Sequence, residues 1–204
     1  MSVLQNLEPA GVFRFFEEIC QIPHTSFHEK QLSDYCVSFA KERNLYYEQD
    51  ELGNVIIIGE ATEGYEDVEP IIIQGHLDMV CEKVAESDID MQNQGIKLCT
   101  DGESIWANGT TLGADCGIGM AAALAVLVDP TVEHGAIEAL FTVDEETGLT
   151  GAFNLGEGML NGKYLVNLDS EDEGELFIGC AGGIDTVATM DYESEETPEG
   201  YAFV

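Results

Sequence analysis

Apolar side chains recur at helical spacing between residues 8 and 20, at Val12, Phe15, Phe16 and Ile19, which predicts an amphipathic helix closed by Pro23. The same period returns over residues 27–43, where Leu32, Tyr35, Cys36 and Phe39 make the inward stripe of a second helix. Residues 45–49 and 54–58 read instead as short strands around the turn residues Asp50 and Gly53. Residues 70–74 hold three consecutive isoleucines, the pattern of a buried strand inside a parallel or mixed sheet. A loop-rich stretch over residues 82–111 carries two strand candidates, at 96–99 and 104–107. Residues 117–127, rich in Ala, Met and Leu, predict a buried helix behind Gly113-Ala114-Asp115. Strands are predicted again at 136–143, 163–168 and 175–178, the last entering a glycine-rich stretch at 179–183. Strands alternating with helices imply an α/β layered domain.

Composition narrows the function more than the fold. Hydrophobic residues make up 45% of the 204, enough for one good core. Forty Asp and Glu stand against seven Lys and Arg, a formal net charge of -33. Such a surface repels phosphates and anionic headgroups, which argues against nucleic acid and membrane partners. The surplus acids read as a solvated, self-repelling face or as a weak attraction for divalent cations. Six cysteines include no C-x-x-C pair and mostly lie in apolar runs, so neither a disulfide framework nor a zinc finger is expected. The first residues show no basic, apolar leader, and no apolar run approaches the ~20 residues of a membrane span. A cytoplasmic location is the simplest expectation.

The candidate chemistry falls repeatedly just after a predicted strand. His76 and Asp78 follow the isoleucine strand, Glu145 and Glu146 follow the strand ending at Val143, and Asp169 follows the strand ending at Leu168. Ligands of open α/β sheets gather beyond the carboxyl ends of strands, so these segments could share one crevice. In His76-x-Asp78 one side chain could ligate a metal while the other orients it, or the pair could be a turn histidine beside a solvated acid. Adjacent glutamates in an extended segment point apart, so Glu145 and Glu146 could take different tasks, or could both be exposed acids. Asp115 lies between glycines at the head of a helix, where it could cap the helix or offer one oxygen to each of two metals. Asp169 could equally be a loop acid. His24, His28 and His134 receive no role.

Taken together, Gly75-His76-Leu77-Asp78-Met79-Val80, the turn Gly109-Thr110-Thr111-Leu112-Gly113-Ala114-Asp115, Asp144-Glu145-Glu146-Thr147-Gly148 and Asn167-Leu168-Asp169 resemble, in order, the M20 family of co-catalytic zinc peptidases. Cys81-Glu82-Lys83, and Glu173-Gly174-Glu175 leading into Gly179-Cys180-Ala181-Gly182-Gly183, strengthen the resemblance to its aminoacyl-histidine (Xaa-His) dipeptidase branch. The resemblance implies a mixed sheet flanked by helices, with residues 1–183 belonging to a catalytic domain and 184–204 beginning a lid or dimerisation domain. It implies that His76 and Asp169 bind one zinc, Glu146 the other, and that Asp115 bridges them across a cis bond to Cys116, a position usually held by an amide or acid. Glu145 would be the general base and acid, with Asp78 behind His76. Two Zn2+ are implied, with Co2+ or Mn2+ as substitutes. The expected reaction is hydrolysis of Xaa-His dipeptides. A deacylase of amino-acid derivatives and a non-catalytic metal-binding module are the alternatives. Family members bring a late histidine to the second metal, whereas no histidine follows His134 here. The chain is therefore expected to be a truncated, inactive piece of a parent that dimerises through its lid.

Overall fold

A computed structural model describes residues 2–170, 174–179, 182–184, 186–193 and 200. Helix α1 (Ala10–Cys20) starts after Pro9, whose missing N–H costs nothing at a helix entrance, and buries Phe15, Phe16, Ile19 and Cys20. Helix α2 (Lys30–Glu42) buries Leu32, Cys36, Phe39 and Ala40. It starts three residues later than its periodicity predicts. Phe27 takes a left-handed backbone (φ 67°), and the His28 amide donates to the Thr25 carbonyl, so the chain still turns there.

Strands β1 (Tyr46–Gln49) and β2 (Val55–Gly59) form a hairpin. Asp50 shapes its turn by accepting the amides of Leu52, Gly53 and Asn54 on one carboxylate oxygen. Strand β3 (Ile71–His76) follows, then the separate pair β4 (Leu98–Thr100) and β5 (Ile105–Ala107). Next come helix α3 (Ala114–Val126), strand β6 (Ile137–Thr142), the single turns α4 (Glu145–Gly148) and α5 (Thr150–Phe153), and strand β7 (Tyr164–Asn167).

The main sheet runs β1-β2-β6-β3-β7. β2 is antiparallel to both β1 and β6, whereas β3 is parallel to β6 and to β7. The sheet is mixed, and helices flank it, as the resemblance implies. One face sends Val55, Ile57, Ala139 and Phe141 into a core shared with α1, α2 and α3. Each fully buried Phe, Leu or Ile there contributes roughly 1.5–3 kcal/mol by leaving water. The other face is thinner, with Ile56, Ile72 and Leu140 under Leu155, Met159 and Leu160. Parallel pairing of β6, β3 and β7 brings their carboxyl ends to one side, which is where the candidate acids follow.

The chain divides into a unit of residues 1–171 and a second of residues 172–204. The described residues of the second unit carry no helix or strand. The strand predicted at 175–178 is therefore absent. Leu176 and Ile178 are fully exposed, and apolar alternation makes a strand only where a partner strand and a surface to bury against exist. Cys180, Ala181 and Glu173, on which the resemblance draws, and residues 201–204 lie outside the described residues. Among the described residues, no helix is long and apolar enough to cross a membrane.

Candidate metal centre

His76 ends β3 and its side chain is 1% exposed. Its Nδ1 lies 2.9 Å from the Asp78 carbonyl oxygen and 3.4 Å from Asp78 Oδ1. Its Nε2 faces the opposite way, toward Asp115 Oδ1 at 2.8 Å, Asp169 Oδ2 at 3.6 Å and Glu145 Oε2 at 4.0 Å. Burial alone would push the imidazole pKa down. The carboxylates of Asp78, Asp115 and Asp169 outweigh that and raise it to about 9. In the metal-free chain both ring nitrogens thus carry protons at neutral pH, Nδ1 donating to the Asp78 backbone carbonyl and Nε2 to the Asp115 carboxylate.

Asp115 is placed by a tight approach. Gly113 takes a left-handed backbone (φ 68°), and a Cβ there would meet Met79 Sδ at 2.7 Å. The Asp115-Cys116 peptide bond is cis, as the resemblance implies. The Asp115 backbone (φ -82°, ψ 115°) is not helical and no side chain caps α3, so of the two readings open to this acid, capping does not apply. Its carboxylate turns to His76 instead. Asp169 follows β7, and its carboxyl is pushed up to about 7, first by burial and then by the neighbouring carboxylate of Asp115, against the pull of His76.

Glu145 and Glu146 do not lie on an extended segment, as their position after a strand suggests. They open the α4 turn, after Asp144 in a left-handed backbone (φ 52°), so they diverge by the about 100° of a helix. The Glu146 carboxyl is raised, by burial first and then by the charge of Asp115. What holds this turn is Asp78. Its Oδ1 accepts the Glu145 amide at 2.9 Å, and its Oδ2 accepts the Glu146 amide at 3.2 Å and the Ser26 hydroxyl at 2.8 Å. Burial opposes the charge on Asp78, yet these donors and His76 hold its pKa down at about 2.

The structure thus brings all six predicted residues into one cluster at the parallel strand ends. Ligand atoms of His76, Asp115 and Glu146 lie within 4.8 Å of one another, as do those of His76, Cys116 and Asp169. Among the described residues, every Lys or Arg ion pair lies elsewhere. One imidazole among uncompensated carboxylates is a donor set that suits a divalent cation with nitrogen and oxygen ligands. The ring is buried whereas the Asp115 side chain is 50% exposed, so the carboxylate side opens to solvent. A cavity of about 290 Å³ lined by Leu140, Leu149, Leu160 and Leu165 adjoins it, with Glu145 and Asp169 in its wall.

Four contributors escaped the sequence reading. Ser26 and Glu29 reach the site from a loop some fifty residues before His76, and no local spacing announces that. The sequence marks Cys116 only as an unusual neighbour of Asp115, and Asp144 only as part of a motif. A buried acid in a left-handed backbone, as at Asp144, leaves no mark in composition.

The fold and this cluster place the chain in a class. Residues 72–201 match the family model described as Peptidase family M20/M25/M40, and the chain belongs to that family. It is 47% identical over 201 residues to the cytosol non-specific dipeptidase of Escherichia coli (strain K12), a match covering 98% of this chain and 41% of that protein. It superposes on the aminoacylhistidine dipeptidase of Vibrio alginolyticus with a TM-score of 0.82 at 47% identity, over 84% of this chain and 35% of that one. A tripeptidase of Staphylococcus aureus is more distant, with a TM-score of 0.65 at 25% identity over 79% of this chain and 43% of that one. The chain spans less than half the length of each.

Proposed function

We propose that this chain carries most of a two-metal dipeptidase site, acting on small peptides that include Xaa-His dipeptides. The observation that carries the reading is the convergence of three carboxylates within 4.0 Å of His76 Nε2, with no Lys or Arg pairing them among the described residues. The family and the names of the relatives supply the peptide as substrate. The apolar cavity beside Glu145 and Asp169 has room for a peptide side chain.

His76 and Asp169 would hold one ion, Glu146 the other, and Asp115 would offer an oxygen to each. Zinc is the expected metal, with cobalt or manganese as substitutes. When bound, such ions acidify an attacking water and polarise the scissile carbonyl. The chain's own residues manage the protons. Glu145 takes one from the attacking water and returns it to the leaving amine nitrogen, so that peptide and water become acid and amine. Asp78 keeps the His76 ring oriented through its Nδ1 side, leaving Nε2 for the site. Residues 1–183 would form the catalytic domain and 184–204 the start of a lid through which two copies pair.

The test is hydrolysis by the zinc-loaded site within a polypeptide of the relatives' full length. Xaa-His dipeptides should be cleaved and N-acyl amino acids should not. Cleavage of other dipeptides would measure how broad the specificity is. Glu145→Ala should lower kcat by about 10²–10⁴-fold with the metal content unchanged. Turnover that survives the substitution would remove Glu145 from its role.

A further inference from the structure

Three successive backbone amides, those of Asp144, Glu145 and Glu146, are each held by a buried carboxylate. Asp78 takes the last two. The first is taken by Glu29, whose Oε1 accepts the Asp144 amide at 3.1 Å and the Phe27 amide at 2.9 Å. Glu29 is 5% exposed and immediately precedes helix α2, so it ties the turn to the core rather than to solvent. Asp144 itself is 4% exposed and left-handed, and its own carboxylate is occupied by the hydroxyls of Thr147 and Thr150. Among the described residues, no other side chain of α2 or of the loop before it bonds the backbone just ahead of the two glutamates.

From this we infer that Glu29 is a positioning residue: through the Asp144 amide it sets the direction in which Glu145 and Glu146 leave the turn. The inference rests on the two-metal reading of the site. A single oxygen of Glu29 makes both bonds, so the charge is dispensable and the acceptor is not. That separates two substitutions. Glu29→Gln keeps an oxygen at the same reach and should leave the turn in place. Glu29→Met keeps the volume and removes every acceptor, leaving the Asp144 amide unpaired.

The site, carried as in the hydrolysis test in a polypeptide of the relatives' full length, is titrated with Co2+, followed by calorimetry and by the visible absorption of the bound ion. The parent should bind two equivalents. In Glu29→Met the ion that depends on His76 and Asp169 should keep its affinity within about twofold. The ion that depends on Glu146 should weaken about 10–100-fold and change its spectrum, the size of effect usual when a group supporting a ligand is lost. Glu29→Gln should behave as the parent in both. If Glu29→Met does not fold, Glu29→Asp replaces it: its acceptor is withdrawn by one methylene, and the same selective loss is expected.

A role confined to stability would weaken both equivalents in step with the melting temperature, and that result overturns the proposal. So does equal weakening in Glu29→Gln and Glu29→Met, or no change in either. A parent chain that binds fewer than two equivalents overturns the two-metal reading and this inference with it. The two failures are distinguishable, because only the second shows in the unsubstituted chain.

Discussion

His76 is buried like a core residue and charged like a surface one, and only its neighbours reconcile the two. Its pKa of about 9 and that of Asp169 near 7 both lie above their ordinary values of 6.5 and 3.8. Each raised group contributes stability that is complete below its ordinary value and is lost as pH rises through its folded value. Asp78 works the other way: held at about 2, it contributes above 3.8 and loses that contribution as pH falls through 2. The metal-free chain should therefore melt highest at about pH 4 and lose stability from there to about pH 9, through Asp169 up to about 7 and through His76 from about 6.5 to 9, the second part being absent in His76→Gln. Ligation by His76 and Asp169 requires their protons to leave, so zinc affinity should climb over the same range, by up to about tenfold per pH unit for each proton released. Thermal melts and calorimetric titrations between pH 4 and 9.5 measure both trends. A metal-free chain whose stability rises toward pH 9 would contradict the charge balance drawn for the site.

The elements that matter most for the site are its shortest. α4 and α5 together span eight residues, and a helix of one turn does not hold itself. They are kept in place by the carboxylates beneath them and by Gly151, whose amide donates to the Val143 carbonyl. A Cβ at Gly151 would stand 2.6 Å from both the backbone nitrogen and the backbone oxygen of Val143, neither of which can yield. Gly151→Ala should cost at least about 2 kcal/mol, read as a lower midpoint in urea. Gly148→Ala, whose Cβ would meet nothing nearer than 3.8 Å, should fall within about 1 kcal/mol of the parent. The long elements were legible because α1, α2, β3 and β6 each bury a full face, and burial writes its period into the chain. The two single turns were not, because α4 has no buried residue and α5 only Gly151. The strand expected at 175–178 erred in the opposite sense, since its apolar pattern has no surface to answer it.

Across the whole molecule the charge of -33 opposes compaction, and the few basic residues form scattered surface pairs that do little to offset it. Melting temperature should therefore rise with NaCl from low ionic strength to about 0.5 M, as screening shortens the reach of the repulsion. A flat response would mean that the acids are too dispersed to matter. The site was readable at this scale through one regularity, a polar residue of ligand type after each parallel strand. The sheet order turns that recurrence into proximity. The frame around the site was not readable, because Ser26 and Glu29, Asp78, and Asp144 come from three distant segments, and Glu29 and Asp78 hold the turn through backbone amides, which no side-chain pattern records.

The position of β6 between β2 and β3 has a consequence for how the protein comes to be folded. Val55 pairs with Phe141, more than eighty residues later, and His76 with Thr142. The β1–β2 hairpin is local and can close early, but β2 and β3 remain without their shared neighbour until the chain has been made as far as residue 142. Closing a span of that length precedes any reward from the contacts it creates, so the step is slow compared with the helices. In pulsed hydrogen exchange, the amides of β3 and of central β6 should gain protection together, after those of α1 and α2. The cluster around His76 would then exist only in the last species to form, which makes ion binding a report on completed folding.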